Sequence, residues 1–112
     1  VKVGKYQLQA ILVPGHSSDS TCYLMDKGDY RILFSSDVVF YWGTIGLGNW
    51  FGSSLESYRR NIGKLSNLSI DALLPGHFIW TLKDGQKHID RAIENLKSAW
   101  VPPAWLHRHP HF

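Results

Sequence analysis

An α+β fold is predicted by three features of the sequence. Tyr6, Leu8, Ala10 and Leu12 alternate with Gln7, Gln9 and Ile11, the period of a half-buried strand, and two more short apolar runs, at 21–25 and 31–34, flank a Lys27-Gly28-Asp29 turn. Further along, apolar residues adopt helical spacing, first at Leu55, Tyr58, Ile62 and Leu65 and then at Ile89, Ala92, Ile93, Leu96 and Trp100. Three of the apolar runs also close in turns that carry a metal-capable side chain.

The first strand becomes apolar on both faces toward Val13, and Pro14-Gly15 ends it. The runs at 21–25 and 31–34 are expected to pair as an antiparallel hairpin. Between Val38 and Gly52, five aromatic residues lie among four glycines, too Gly-rich for a helix and too irregular for a clean strand, so a structured loop is expected. Its rings admit two readings. Phe40, Trp42, Trp50 and Phe51 could wall an apolar substrate pocket, or the rings could plug a core or an interface. Ser53 and Glu56 form a Ser-x-x-Glu capping pattern that opens a helix, with Glu56, Arg59, Arg60 and Lys64 on its wet face. Residues 69–74 read as the last strand. A final helix is expected to start within 81–84 and to stop at Pro102-Pro103.

The chain has 112 residues, 44% of them hydrophobic, which allows one domain. That domain is expected to occupy 1–106, followed by a His-rich tail, 107–112, bearing His107, His109 and His111. Net charge is +3, with only Arg59 and Arg60 adjacent among the basic residues, so no nucleic-acid partner is expected. No apolar run approaches the roughly 20 residues that span a bilayer, and no signal-peptide core opens the chain, so no membrane partner is expected and a cytoplasmic setting is the default. The single cysteine, Cys22, excludes an internal disulfide, and its place in an apolar strand reads as a buried, inert thiol. Val1 reads either as the residue after initiator removal or as the edge of a longer chain.

Pro14-Gly15-His16-Ser17, then Phe34-Ser35-Ser36-Asp37 running on to Phe40, then Leu74-Pro75-Gly76-His77 resemble, in that order, the C-terminal half of the metallo-β-lactamase superfamily, over residues 6 to 99 or so. The resemblance implies half of an αββα sandwich, with a mixed or antiparallel sheet and helices on its outer face. It also implies a ligand set. His16 corresponds to the third histidine of the first metal site, Asp37 to the aspartate that bridges two metals, and His77 to the last histidine, on the second metal. Zinc is the implied ion, with iron or manganese as alternatives. Ser36 stands where the family usually has Gly, and these residues contain no upstream His-x-His-x-Asp-His motif. Three ligands shared by two metals close neither set, so low occupancy is expected for this chain alone, with activity only if another polypeptide completes the site.

Two functional classes follow from the resemblance. One is a metal-dependent hydrolase module acting on a small-molecule ester, thioester, lactone, lactam or phosphoester; the other is a non-catalytic assembly module with relic ligands. Ser17 and Ser20 lack a Gly-x-Ser-x-Gly elbow, and local hydrogen bonding by Asp19 or Ser20 within the turn that orients His16 is expected instead. In a half-sandwich, a sheet face carrying Leu12, Leu24, Leu33 and Leu73 has no intramolecular sheet to pack on. A homodimer, or pairing with a separate N-terminal half, is the expected remedy. The histidine tail of one chain reaching the incomplete site of another is a further expectation.

Overall fold

The structure, a computed structural model, describes residues 2–48 and 50–98. Two short strands, β1 (Lys2–Val3) and β2 (Tyr6–Gln7), pair as a small hairpin. The chain then steps at Leu8 into β3 (Gln9–Leu12). With β4 (Thr21–Asp26), β5 (Arg31–Ser36) and β6 (Ala72–Pro75) it forms a four-stranded sheet in the order β3-β4-β5-β6. The first two pairings are antiparallel and β5–β6 is parallel. The expected hairpin is present: Lys27 N donates to Tyr30 O at 3.0 Å, and Gly28 N donates to the Asp26 carboxylate at 2.8 Å.

A parallel pair needs a long crossover, and residues 37–71 supply it. They include α1 (Leu55–Asn61), which tightens into a 3-10 turn at Ile62–Leu65; α2 (Gly85–Lys97) follows β6. The fold class is therefore α+β with a mixed sheet, as the resemblance implied. Trp100, Pro102, Pro103 and the tail histidines lie outside the described residues.

Side-chain parity decides which sheet face is closed. Gln9 pairs with Leu24, Leu24 with Leu33, and Leu33 with Leu73, so these residues share a face, together with Ile11 and Cys22. Helical side chains cover that face: Leu24, Leu33 and Leu73 belong to one core with Tyr58, Ile62, Leu65, Ile89, Ala92, Ile93 and Leu96. The expectation that Leu24, Leu33 and Leu73 face a missing sheet is corrected here, because the helices of this chain already bury them. Leu12 was placed with them and is not; it pairs with Thr21 on the other face and is 48% exposed. The step at Leu8 ends the uniform alternation read along residues 6–12, and Ile11 occupies the buried side.

The open face carries Ala10, Leu12, Tyr23, Met25, Ile32, Phe34 and Leu74, exposed or half-buried. Thr81 bridges to Leu73, and its exposed neighbours Trp80 and Leu82 alternate onto this same open side. Among the described residues, this second sheet face is left partly open, and it carries other residues than those expected.

The N-cap of α1 is Ser54, whose hydroxyl accepts from Ser57 N at 3.1 Å; the Ser53–Glu56 box is not formed. Glu56 instead meets Arg60, one turn on, at 3.2 Å. α2 starts at Gly85, later than the 81–84 expected. A Cβ at position 85 would stand 2.9 Å from Asp71 O, so only glycine lets the helix enter against the end of the crossover.

α2 also fastens the aromatic loop. Tyr41–Gly43 forms a 3-10 turn in which Trp42 takes a left-handed φ of 64°, and Trp42 N donates to Nδ1 of the buried His88 at 2.9 Å. As an acceptor, Nδ1 carries no proton. Burial, with Lys87 adding and Asp84 opposing, holds the His88 pKa below the ordinary histidine value. The unfolded chain therefore binds a proton that the folded chain refuses, and stability falls as pH drops through the unfolded histidine value of about 6.5. The expected melting temperature is flat above about pH 7.5 and declines from there to pH 6. In His88→Gln, that part of the decline disappears.

Candidate metal centre

Three strand ends bring His16, Asp37 and His77 to one edge of the sheet. His16 follows β3, in a turn where Val13 N donates to Ser20 O at 2.8 Å and Gly15 N to Ser17 O at 3.1 Å. Ser17 N donates to Ser20 Oγ at 2.9 Å, and Ser17 Oγ to Asp19 Oδ1 at 3.0 Å, so the polar residues of the turn serve its conformation. Asp37 follows β5 directly, past a register shift between Phe34 and Ser36. Ser36 has φ 52°, a left-handed backbone that a non-glycine residue adopts at a cost of about 1 to 2 kcal/mol. The conformation accounts for the glycine usual at that position in the resembling motif. His77 follows β6, and Gly76 N donates to Ser36 O at 2.7 Å, which draws the last two turns together.

The Asp37 carboxylate stands between the two imidazoles. Its Oδ2 is 3.5 Å from His16 Nε2, and its Oδ1 is 2.8 Å from His77 Nδ1. Gly46 O lies 2.6 Å from His16 Nδ1; a carbonyl only accepts, so Nδ1 carries a proton and the ring turns its Nε2 toward Asp37. A cation placed between His16 Nε2 and Asp37 Oδ2, 3.5 Å apart, would meet both donors. This orientation is also how a histidine ligand is held, with one nitrogen tied to a carbonyl and the other offered to the ion. Imidazole and carboxylate donors suit a borderline metal such as zinc. The chemistry of the donor set fits a metal, but the histidines meet different carboxylate oxygens, and among the described residues no group of three such side chains gathers to hold a single ion.

The aromatic candidates separate. Trp50 Nε1 donates to His16 O at 2.9 Å, and its ring meets the His16 ring edge-on at 5.0 Å. Phe40 is fully buried, edge-on to His77 at 6.3 Å and to Phe78 at 5.3 Å. Trp42 packs against Tyr41, His88 and Arg91, and Phe51 stands fully exposed. Two of the four thus flank the histidines, and Phe78, which sequence reasoning passed over, joins them. Cys22 is buried with its thiol pushed up to about 12 by burial, the inert thiol expected.

Solved structures share this fold. ETHE1 from Myxococcus xanthus superposes with a TM-score of 0.61 over 91% of this chain and 50% of its own, at 18% identity. A metallo-β-lactamase family protein from Thermus thermophilus gives a TM-score of 0.69 over 87% and 32%, at 17% identity. The architecture is thus half of a metallo-β-lactamase sandwich. Sequence relatives agree. The human acyl-coenzyme A thioesterase MBLAC2 is 37% identical over 83 residues, 70% of this chain and 28% of that protein, and the atrochrysone carboxyl ACP thioesterase of Aspergillus fumigatus is 31% identical over 70 residues, 62% and 20%. No family model matches the chain. The chain belongs to the metallo-β-lactamase superfamily and spans about a fifth to just over a quarter of the length of these curated relatives.

Proposed function

We propose that this chain is the part of a metal-dependent hydrolase that supplies His16, Asp37 and His77 to a zinc-type centre, with iron or manganese as alternative ions. The observation that carries the reading is the carboxylate set between two imidazoles, one of them held through Nδ1 by a backbone carbonyl so that its Nε2 faces the carboxylate. A thioester is the favoured substrate class within the wider range of esters, lactones, lactams and phosphoesters, because two relatives are named thioesterases. Bound there, the ion supplies Lewis acidity and lowers the pKa of water. The residues of this chain hold and orient: Gly46 fixes the His16 ring, Trp50 pins its backbone, and Phe40 and Phe78 back His77.

Completion by other residues belongs to the proposal, since three donors on two carboxylate oxygens leave both sides short of a tight set. The uncovered apolar face is where those residues would dock, on a second copy of the chain or on an N-terminal half of the sandwich. That face also favours the second reading, an assembly module in which the ligands are relics. Among the described residues no helix is long and apolar enough to cross a membrane, and a cytoplasmic setting is proposed on the strength of the lone, buried Cys22.

Cobalt titration, followed by its visible spectrum and by elemental analysis of protein purified without tag or chelator, separates the readings. Weak cobalt uptake by the wild type, reduced at least tenfold in His16→Ala and His77→Ala, is expected. Uptake that is absent or identical in all three folded proteins would sink the metal-centre reading and leave the assembly module.

A further inference from the structure

Beneath the candidate centre, one buried hydroxyl touches the backbone at both ends of the 37–46 segment, which carries Asp37 and the His16 acceptor. Tyr58 lies on α1, fully buried. Its Oη donates to Val38 O at 2.7 Å, lies 3.3 Å from Asp37 O, and accepts from Gly46 N at 2.9 Å. Gly46 is the residue whose carbonyl fixes the His16 ring. The Tyr58 ring lies against Gly15 as well, so closely that a Cβ there would come within 2.5 Å of it. The residue before His16, the residue after Asp37 and the acceptor of His16 Nδ1 therefore all rest on one side chain.

We infer that Tyr58 is the positioning residue of the centre, its hydroxyl setting both the Nδ1-protonated tautomer of His16 and the place of the Asp37 carboxylate. The inference deepens the metal-centre reading and rests on it for its purpose. A core tyrosine kept for packing alone needs only its ring, and phenylalanine would serve. Here the hydroxyl donates to Val38 O, accepts from Gly46 N and also lies against Asp37 O, and all three partners are backbone of the site. Burial pushes its pKa well above the ordinary phenol value, so the proton it donates stays in place. Removing the oxygen leaves the Gly46 N–H and the Val38 carbonyl without their shared partner, and the 38–46 loop must shift to find new ones. Gly46 O, the acceptor that defines the His16 tautomer, shifts with it.

The decisive comparison is Tyr58→Phe against Leu65→Ala, a buried residue of the same segment whose loss destabilises the core without touching the site. In metal-free protein at pH 8, long-range proton–nitrogen NMR of the imidazoles reads the His16 tautomer directly. The expected result is a predominantly Nδ1-protonated His16 in wild type and Leu65→Ala, and a mixture of tautomers in Tyr58→Phe. Cobalt affinity should fall about 10- to 100-fold in Tyr58→Phe and stay within about threefold of wild type in Leu65→Ala. Unchanged His16 signals in Tyr58→Phe, or the same change in both variants, would overturn the positioning role. Failure of the metal reading is distinguishable, since wild type would then keep its tautomer and take up no cobalt.

Discussion

Gly46→Ala is expected to unfold the edge of the sheet that bears the site, lowering stability by about 2 to 3 kcal/mol and the melting temperature by roughly 10 °C. A Cβ at that position would lie 1.9 Å from Asp37 O, 2.9 Å from His16 Nδ1 and 3.1 Å from Asp37 C. Two of these three atoms are backbone, so no rotamer change relieves the contact. Either the Asp37 loop moves out or the Gly46 segment moves back, and each breaks the bond between Gly46 O and His16. Gly63→Ala is the matched control. Nothing lies within 4 Å of its added methyl, and the exchange is expected to leave stability unchanged or raised by a few tenths of a kcal/mol. Thermal unfolding of both proteins tests the geometry; equal melting temperatures would mean that Gly46 is not where the structure places it.

Asp37→Ala is expected to separate metal binding from folding. The carboxylate faces His16 Nε2 at 3.5 Å on one side and accepts from a half-exposed histidine on the other, a partly exposed arrangement that gives the metal-free protein little. Its removal should change metal-free stability by less than about 0.5 kcal/mol. Cobalt affinity should fall by more than about 100-fold, beyond the 10- to 100-fold typical of losing an outer partner of a ligand. Melting curves with and without cobalt read both quantities: in wild type the ion raises the melting temperature, and in Asp37→Ala it does not. A metal-free variant that melts many degrees lower would make Asp37 a structural anchor, and the ligand assignment would lose its main support.

The turns that carry His16, Asp37 and His77 were legible because each is a local sentence, an apolar run closed by Gly or Pro with a polar residue at its tip. The α+β class was legible for the same reason, since periods of two and of about three and a half are local properties. Face assignment was not. Ile11 and Leu12 do alternate, but which of their two faces the helices cover is decided by β4, β5 and the distant helices, and so the two were read the wrong way round. Tyr58 and Gly46 were unreadable for another reason. In sequence, one is an apolar position on a helical stripe and the other a glycine among glycines; their importance arises only when residues 30 and 12 positions apart meet. The aromatic loop showed the limit of composition, which could count its rings but not tell that Phe40 and Trp50 turn inward to the histidines while Phe51 turns out.

The parallel pairing of β5 with β6 gives the site a place in time as well as in space. β3, β4 and β5 join through short connections and can zip as neighbours, whereas β6 finds β5 only after residues 37–71 have been ordered, the slow class of event in folding. The Asp37–His77 contact spans 40 residues across that closure. Of the three turns, the one bearing His77 is thus the one whose place depends on closing the whole crossover.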